Sequence, residues 1–199
     1  MHISDGMISG EICIAAGIAA AGLTGFAIKK MTNEDIPRTA LMTAAFFIIS
    51  LIHFRLVVTS IHLNLIAVVG IILGVYSFPA ILIALLFQTL MLQHGGITTL
   101  GVNTIIMGLP AFLVGIFYKK IVSYTRSTTV KTVLAFFMGS LSIALAATLA
   151  ALFLVTGGKE FNTVAELLIK ANVPLALIEG IAAAIIIRFL YIVKPEMLQ

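Results

Sequence analysis

VLAFFMGSLSIALAATLAALFLVT, residues 133–156, runs for 24 positions without a Lys, Arg, Asp or Glu. A helix needs about 20 such residues to cross the ~30 Å hydrocarbon core of a bilayer, so this stretch places the chain in lipid. The rest of the sequence agrees: of 199 residues, 61% are hydrophobic and 10% charged, against roughly 25% charged in a soluble domain. Six further apolar segments flank it, at about Ile8 to Ile28, Thr39 to Leu56, His62 to Tyr76, Phe78 to Leu92, Asn103 to Tyr118 and Pro174 to Val193. The ten-residue alternation of an outer-membrane barrel is missing. The reading is an all-α fold, a single integral membrane domain over 1–199 with about seven transmembrane helices. The third and fourth spans are short and separated by a break at Ser77, Phe78 and Pro79. Residues 160–174, EFNTVAELLIKANVP, have the apolar spacing of a short amphipathic surface helix that should end at Pro174.

Charge predicts sidedness. Nine of the twelve Lys and Arg residues (Lys29, Lys30, Arg38, Lys119, Lys120, Arg126, Lys131, Arg188 and Lys194) fall on one side of a seven-span arrangement, and Arg55, Lys159 and Lys170 on the other. The positive-inside rule then puts the N-terminus outside and the C-terminus in the cytoplasm of a prokaryotic cell. Basic residues scattered between apolar runs speak for membrane topology and against nucleic acid. The single cysteine, Cys13, permits no intrachain disulfide and reads as a small packing residue. No Lys or Arg precedes the first apolar run and Glu11 interrupts its start, so a cleaved leader is not expected and Met1 should begin the mature protein.

This orientation gathers all four histidines, His2, His53, His62 and His94, at the external end. Asn64, Gln88, Gln93 and Asn103 are polar residues in or beside spans, where they link helices or mark a site. Glu11 and Glu179 lie near external helix ends. His94 sits between Gln93 and the pair Gly95 and Gly96, whose backbone can bend into a pocket. His2 carries the most specific chemistry, because a terminal amine, the amide nitrogen of residue 2 and its imidazole can close two adjacent chelate rings on one ion. A fourth nitrogen from a distant histidine would complete a plane of four, a geometry suited to Ni²⁺ or Cu²⁺. Mg²⁺ and Ca²⁺, which prefer oxygen donors, suit it poorly.

Four motifs spaced in order along the chain carry a family likeness: MHISDG at the start, TSIHLNL at 59–65, QHGGITTLGVNTIIMGLP at 93–110 and PLALIEG at 174–180. Together they resemble the CbiM/NikM family, the substrate-capture components of energy-coupling-factor transporters for nickel and cobalt. The resemblance implies that the N-terminal segment tucks into the bundle. It also implies that the metal is held by the amine of Met1, the amide and imidazole of His2, and the imidazole of His62. His94, His53, Asn64, Gln93, Asn103 and Glu179 are possible auxiliary residues around them. Ser4 stands where the family often has proline, and His53 is an additional histidine that could serve as an alternative ligand or a transient stop for the ion. No cofactor is implied, Ni²⁺ or Co²⁺ being the transported substrate.

The implied partners are a transmembrane coupling subunit, cytoplasmic ATPase subunits and a small accessory membrane subunit. The sequence is consistent with that division, since TGGKEF at 156–161 lacks the earlier glycine and the Ser/Thr of a phosphate-binding loop. In the first span, Ala15 with Ala19 and Ala16 with Ala20 are small residues at four-residue spacing that permit a partner helix to approach. Two other functions are open. A self-sufficient permease or channel would need polar residues along a continuous path, whereas here they gather toward one end. An intramembrane metalloenzyme lacks an H-E-x-x-H motif, and four nitrogens in a plane leave no convenient position for catalytic water.

Overall fold

The computed structural model describes residues 2–55 and 60–198. The apolar segments form helices α1 (Gly10–Lys30), α2 (Asp35–Ile49), α3 (Ile66–Leu73), α4 (Ser77–Leu92), α5 (Leu100–Val122), α6 (Thr128–Val155) and α7 (Asn162–Val193). A two-stranded antiparallel ribbon, β1 (His53–Arg55) and β2 (Ser60–His62), joins α2 to α3 and pairs His53 with His62. Short 3₁₀ turns follow α3 and flank α7. Five helical stretches are long and apolar enough to cross a membrane: 10–30, 66–92, 100–122, 128–155 and 159–193. The 15 residues of α2 are shorter than that.

Outward faces carry large apolar side chains, among them Ile18, Phe137, Leu152, Ile185 and Ile192, as a surface solvated by lipid requires. The centre of the bundle is α3, all eight of whose residues are buried. Its close approach to α5 depends on Gly70, where a Cβ would run into the backbone of Ala111, and on Gly115, where one would strike the Gly70 carbonyl. Small residues substitute for hydrophobic driving force in lipid, where close backbone contact supplies the dispersion energy. After α3 the chain breaks at Gly74 (φ 57°). Tyr76 Oη donates to the carbonyl of Lys30, at the far end of α1, at 3.0 Å. Arg38 donates to the Met197 carbonyl, tying the C-terminal turn to the start of α2.

Three boundaries differ from the sequence reading. His62 ends β2 instead of opening the third helix, which starts only at Ile66, because Leu65 takes a left-handed conformation (φ 52°, ψ 34°) that no helix can contain. The second helix stops at Ile49, the residues beyond it turning into β1. Conversely, α7 does not stop at Pro174 but runs through it for 32 residues. Proline is tolerated inside such helices, and α7 continues on both sides of Pro174. At ~1.5 Å per residue α7 is ~48 Å long, which leaves its polar first turns beyond the hydrocarbon core. Of the first-span alanines, Ala16 and Ala20 are buried within the chain's own bundle, so only Ala15 and Ala19 remain exposed.

Candidate metal centre

Three histidines from distant parts of the chain meet at one end of the bundle. The ring centroids of His2 and His62 lie 5.2 Å apart, those of His62 and His94 5.7 Å, and those of His2 and His94 5.9 Å. The rings are nearly parallel, with interplanar angles of 17°, 8° and 23°. Both ring nitrogens of His2 are buried and make no hydrogen bond among the described residues. Burial holds this imidazole well below its ordinary pKa, the neighbouring His62 and His94 rings pushing the same way. It is therefore neutral and keeps a lone pair, the form in which imidazole binds a metal. Met1 and the side chain of His53 lie outside the described residues.

His2 is placed by the segment that follows it. The Ile3 N–H donates to Asn103 Oδ1 at 2.9 Å, and its carbonyl accepts from Asn103 Nδ2 at 2.9 Å and Thr99 Oγ1 at 2.7 Å. One carboxamide thus satisfies both backbone groups of a buried residue, as a neighbouring strand would. Two residues on, the Asp5 carboxylate accepts from the backbone N–H groups of Ile97, Thr98 and Thr99 and from the Thr98 hydroxyl. These N–H groups lie just ahead of α5, where unpaired donors and the helix dipole favour an anion. Hydrogen bonding from Thr98, foremost, holds the Asp5 carboxyl below its usual range. The loop between α4 and α5 can close on this segment only because position 96 is glycine; a Cβ there would overlap Asp5.

His62 is placed from the other side. A carbonyl can only accept, so the 3.2 Å contact between His62 Nδ1 and the Leu63 carbonyl selects the Nδ1–H tautomer and leaves Nε2 with the lone pair. Asn64 Nδ2 donates to the His62 carbonyl at 3.2 Å. The Glu179 carboxylate accepts from the Asn64 N–H, and its two oxygens lie 3.0 and 2.9 Å from the Leu65 nitrogen. His94 is fixed by its backbone, its N–H donating to the Gln88 carbonyl at 3.2 Å and its carbonyl accepting from Thr89 Oγ1 at 3.1 Å.

Of the residues singled out in the sequence, the structure therefore brings His2, His62 and His94 together and sets Asn64, Asn103 and Glu179 behind them. Gln93 is exposed, its left-handed backbone (φ 56°) ending α4. Gln88 does not link helices as a side chain, since its buried carboxamide has no hydrogen-bond partner among the described residues. Asp5, Thr98 and Thr99 were not singled out; a Thr-Thr pair directly ahead of an apolar run is the helix-start signal that marks their place. Among the described residues no group of three or more His, Cys, Asp or Glu side chains is arranged to hold an ion. Stacked rings present lone pairs in parallel planes, and a donor set built here would need nitrogens beyond the imidazoles.

Residues 2–197 match the profile of CbiM, the cobalt uptake substrate-specific transmembrane region. The chain is 30% identical to the cobalt transport protein CbiM of Clostridium tetani, over 95% of this chain and 83% of that one. It is 39% identical to the Thermosipho melanesiensis protein of the same description, over 61% and 54% of the two chains. The fold matches the crystal structure of a truncated transition metal transporter with a TM-score of 0.76 at 24% identity, over 98% of this chain and 99% of that one. With a family profile spanning nearly every residue and a relative matched over most of both lengths, this chain belongs to the CbiM family.

Proposed function

We propose that the protein is the metal-capture subunit of an ATP-driven energy-coupling-factor uptake system, taking Ni²⁺ or Co²⁺ from the external side. The observation that carries the reading is the buried His2, with no hydrogen-bond partner on either ring nitrogen among the described residues, stacked on His62. A buried polar group left unsatisfied costs roughly 1–3 kcal/mol, and a bound ion would remove that cost. The donors are the amine of Met1, the amide and imidazole nitrogens of His2, and Nε2 of His62. Two of these four are not side chains, which accords with the absence of a three-side-chain cluster among the described residues. His94 stacks against both imidazoles and limits how far they can turn.

The chain crosses the membrane seven times, the α3 and α4 segments forming a short descending and a short ascending limb. Two contacts support an odd number of crossings with opposite termini: Tyr76 reaches the end of α1, and the C-terminal turn meets Arg38 just after it. The N-terminus faces outward and the C-terminus the cytoplasm, in line with the Lys and Arg distribution. ATP is hydrolysed by partner subunits, coupled through a further membrane subunit for which the exposed Ala15 and Ala19 of α1 offer a close approach.

Equilibrium binding of Ni²⁺ and Co²⁺ to the purified chain with its own N-terminus tests this reading. His2→Ala and His62→Ala should each abolish tight binding, and His53→Ala should leave it in place. Wild-type affinity in His62→Ala refutes the assignment.

A further inference from the structure

Glu179 is 1% exposed, in the middle of an apolar helix. Among the described residues the one ion pair is Lys170 with Glu166, so none of the described cations pairs with Glu179. A buried carboxylate in such a helix is costly and marks a task that an apolar side chain cannot do. Here it stands at the start of α3, where the first N–H groups of a helix have no partner of their own. Its two oxygens take the N–H of Leu65, and one takes that of Asn64 as well. Leu65 is held in the left-handed region, which residues with a Cβ avoid unless their surroundings impose it. That single residue redirects the chain from β2 into α3. The link from this turn to the metal centre is short, because the Asn64 side chain returns to the His62 carbonyl.

We propose that Glu179 is the positioning residue of the His62 arm: by accepting the Asn64 and Leu65 N–H groups, its carboxylate holds the turn that aims the His62 imidazole at His2. The inference rests on the metal-capture reading above. A carboxylate serves the turn better than an amide because a charged acceptor bonds N–H groups more strongly and both of its oxygens face the Leu65 N–H. Glutamine keeps one neutral acceptor oxygen and sets an NH₂ against the Leu65 N–H where the second carboxylate oxygen stands. Such outer partners set the direction of a ligand without touching the ion.

The test uses the full chain with its own N-terminus and Ni²⁺ as probe, reading affinity together with the visible ligand-field absorption of the bound ion. Glu179→Gln should bind about 10- to 100-fold more weakly, with its absorption displaced toward that of His62→Ala. Glu179→Asp, which keeps the charge one methylene short, should fall between wild type and Glu179→Gln, and it carries the comparison if Glu179→Gln does not fold. Ile187→Ala, which opens a cavity on the same helix away from the centre, should lower thermal stability while leaving absorption and affinity unchanged. A wild-type absorption in Glu179→Gln, whatever its stability, makes the role structural and overturns the proposal. An unchanged absorption in His62→Ala overturns the metal-capture reading, and the positioning role with it.

Discussion

Asn103→Ala removes the group that seats the N-terminal segment while leaving every proposed metal donor in place. Ile3 is 1% exposed, so its N–H, which donates to Asn103 Oδ1, would lose its partner in a place water cannot supply. That loss costs about 2 kcal/mol within a range of roughly 1–3, and the broken bond from Asn103 Nδ2 to the Ile3 carbonyl about 1 more, a carbonyl still served by Thr99 Oγ1. The sum, about 3 kcal/mol, is roughly two powers of ten in the ratio of seated to unseated segment. Affinity falls only by the fraction of molecules left unseated, so a segment whose seating is worth less than this in the wild type shows a large part of the loss. Two measurements separate seating from ligation: hydrogen exchange over residues 2–9 without metal, and equilibrium Ni²⁺ binding. The variant should exchange faster over that segment and bind at least about tenfold more weakly. Unchanged exchange together with unchanged binding would refute the seating role of Asn103.

Two further outcomes follow from the geometry. Gly70→Ala pushes a Cβ into the Ala111 carbonyl and forces α3 away from α5; the expected destabilisation is about 1–3 kcal/mol or more, checked by thermal unfolding in detergent, with Gly17→Ala, where a Cβ meets nothing within 4 Å, as the tolerant comparison. The Asp5 carboxyl is held below its ordinary value of 3.8 in the folded chain, so its contribution to seating is complete above that value and is lost as pH falls through the lower, folded value; the protection of residues 2–9, taken against the intrinsic exchange rate at each pH, should fall at the acid end of a series from pH 6 downward, and Asp5→Asn should remove that dependence.

Most helices were legible because lipid leaves so little freedom: an apolar run must satisfy its own backbone, and helix is how a single segment does so. In one place where the sequence misled, a side chain remote in the chain was responsible. LNLIAVVG reads as continuous helix, but Leu65 stands in the left-handed region with its N–H on Glu179, 114 residues away. Pro174 reads as a stop, yet α7 passes through it, as a helix packed in lipid allows. At the metal centre the chelating potential of His2 follows from covalent geometry, and the three-way stack does not. It needs the bend at Gly95 and Gly96, the Asn103 carboxamide and the Glu179 turn together, and only folding shows that they face one point. Asp5 shows the same limit. An acidic residue near a terminus looks solvated in the sequence, and its place at the start of α5 appears once residues 97–99 are beside it.

The central claim is that the N-terminal segment is itself a ligand arm, contributing the amine of Met1 with the amide and imidazole of His2. The most direct measurement compares two forms of the full chain, one with two residues added ahead of Met1, which moves the histidine beyond reach of a terminal chelate, and one with the same two residues added after Gln199. Each is loaded with Ni²⁺, desalted and assayed for retained metal, with mass spectrometry confirming both termini and circular dichroism confirming equal helix content. An extension ahead of Met1 converts the amine into an amide and moves His2 out of the chelate, so the account predicts metal retained by the C-terminally extended form and lost from the other. Equal retention by both forms would show that the amine is not a ligand and would contradict the account.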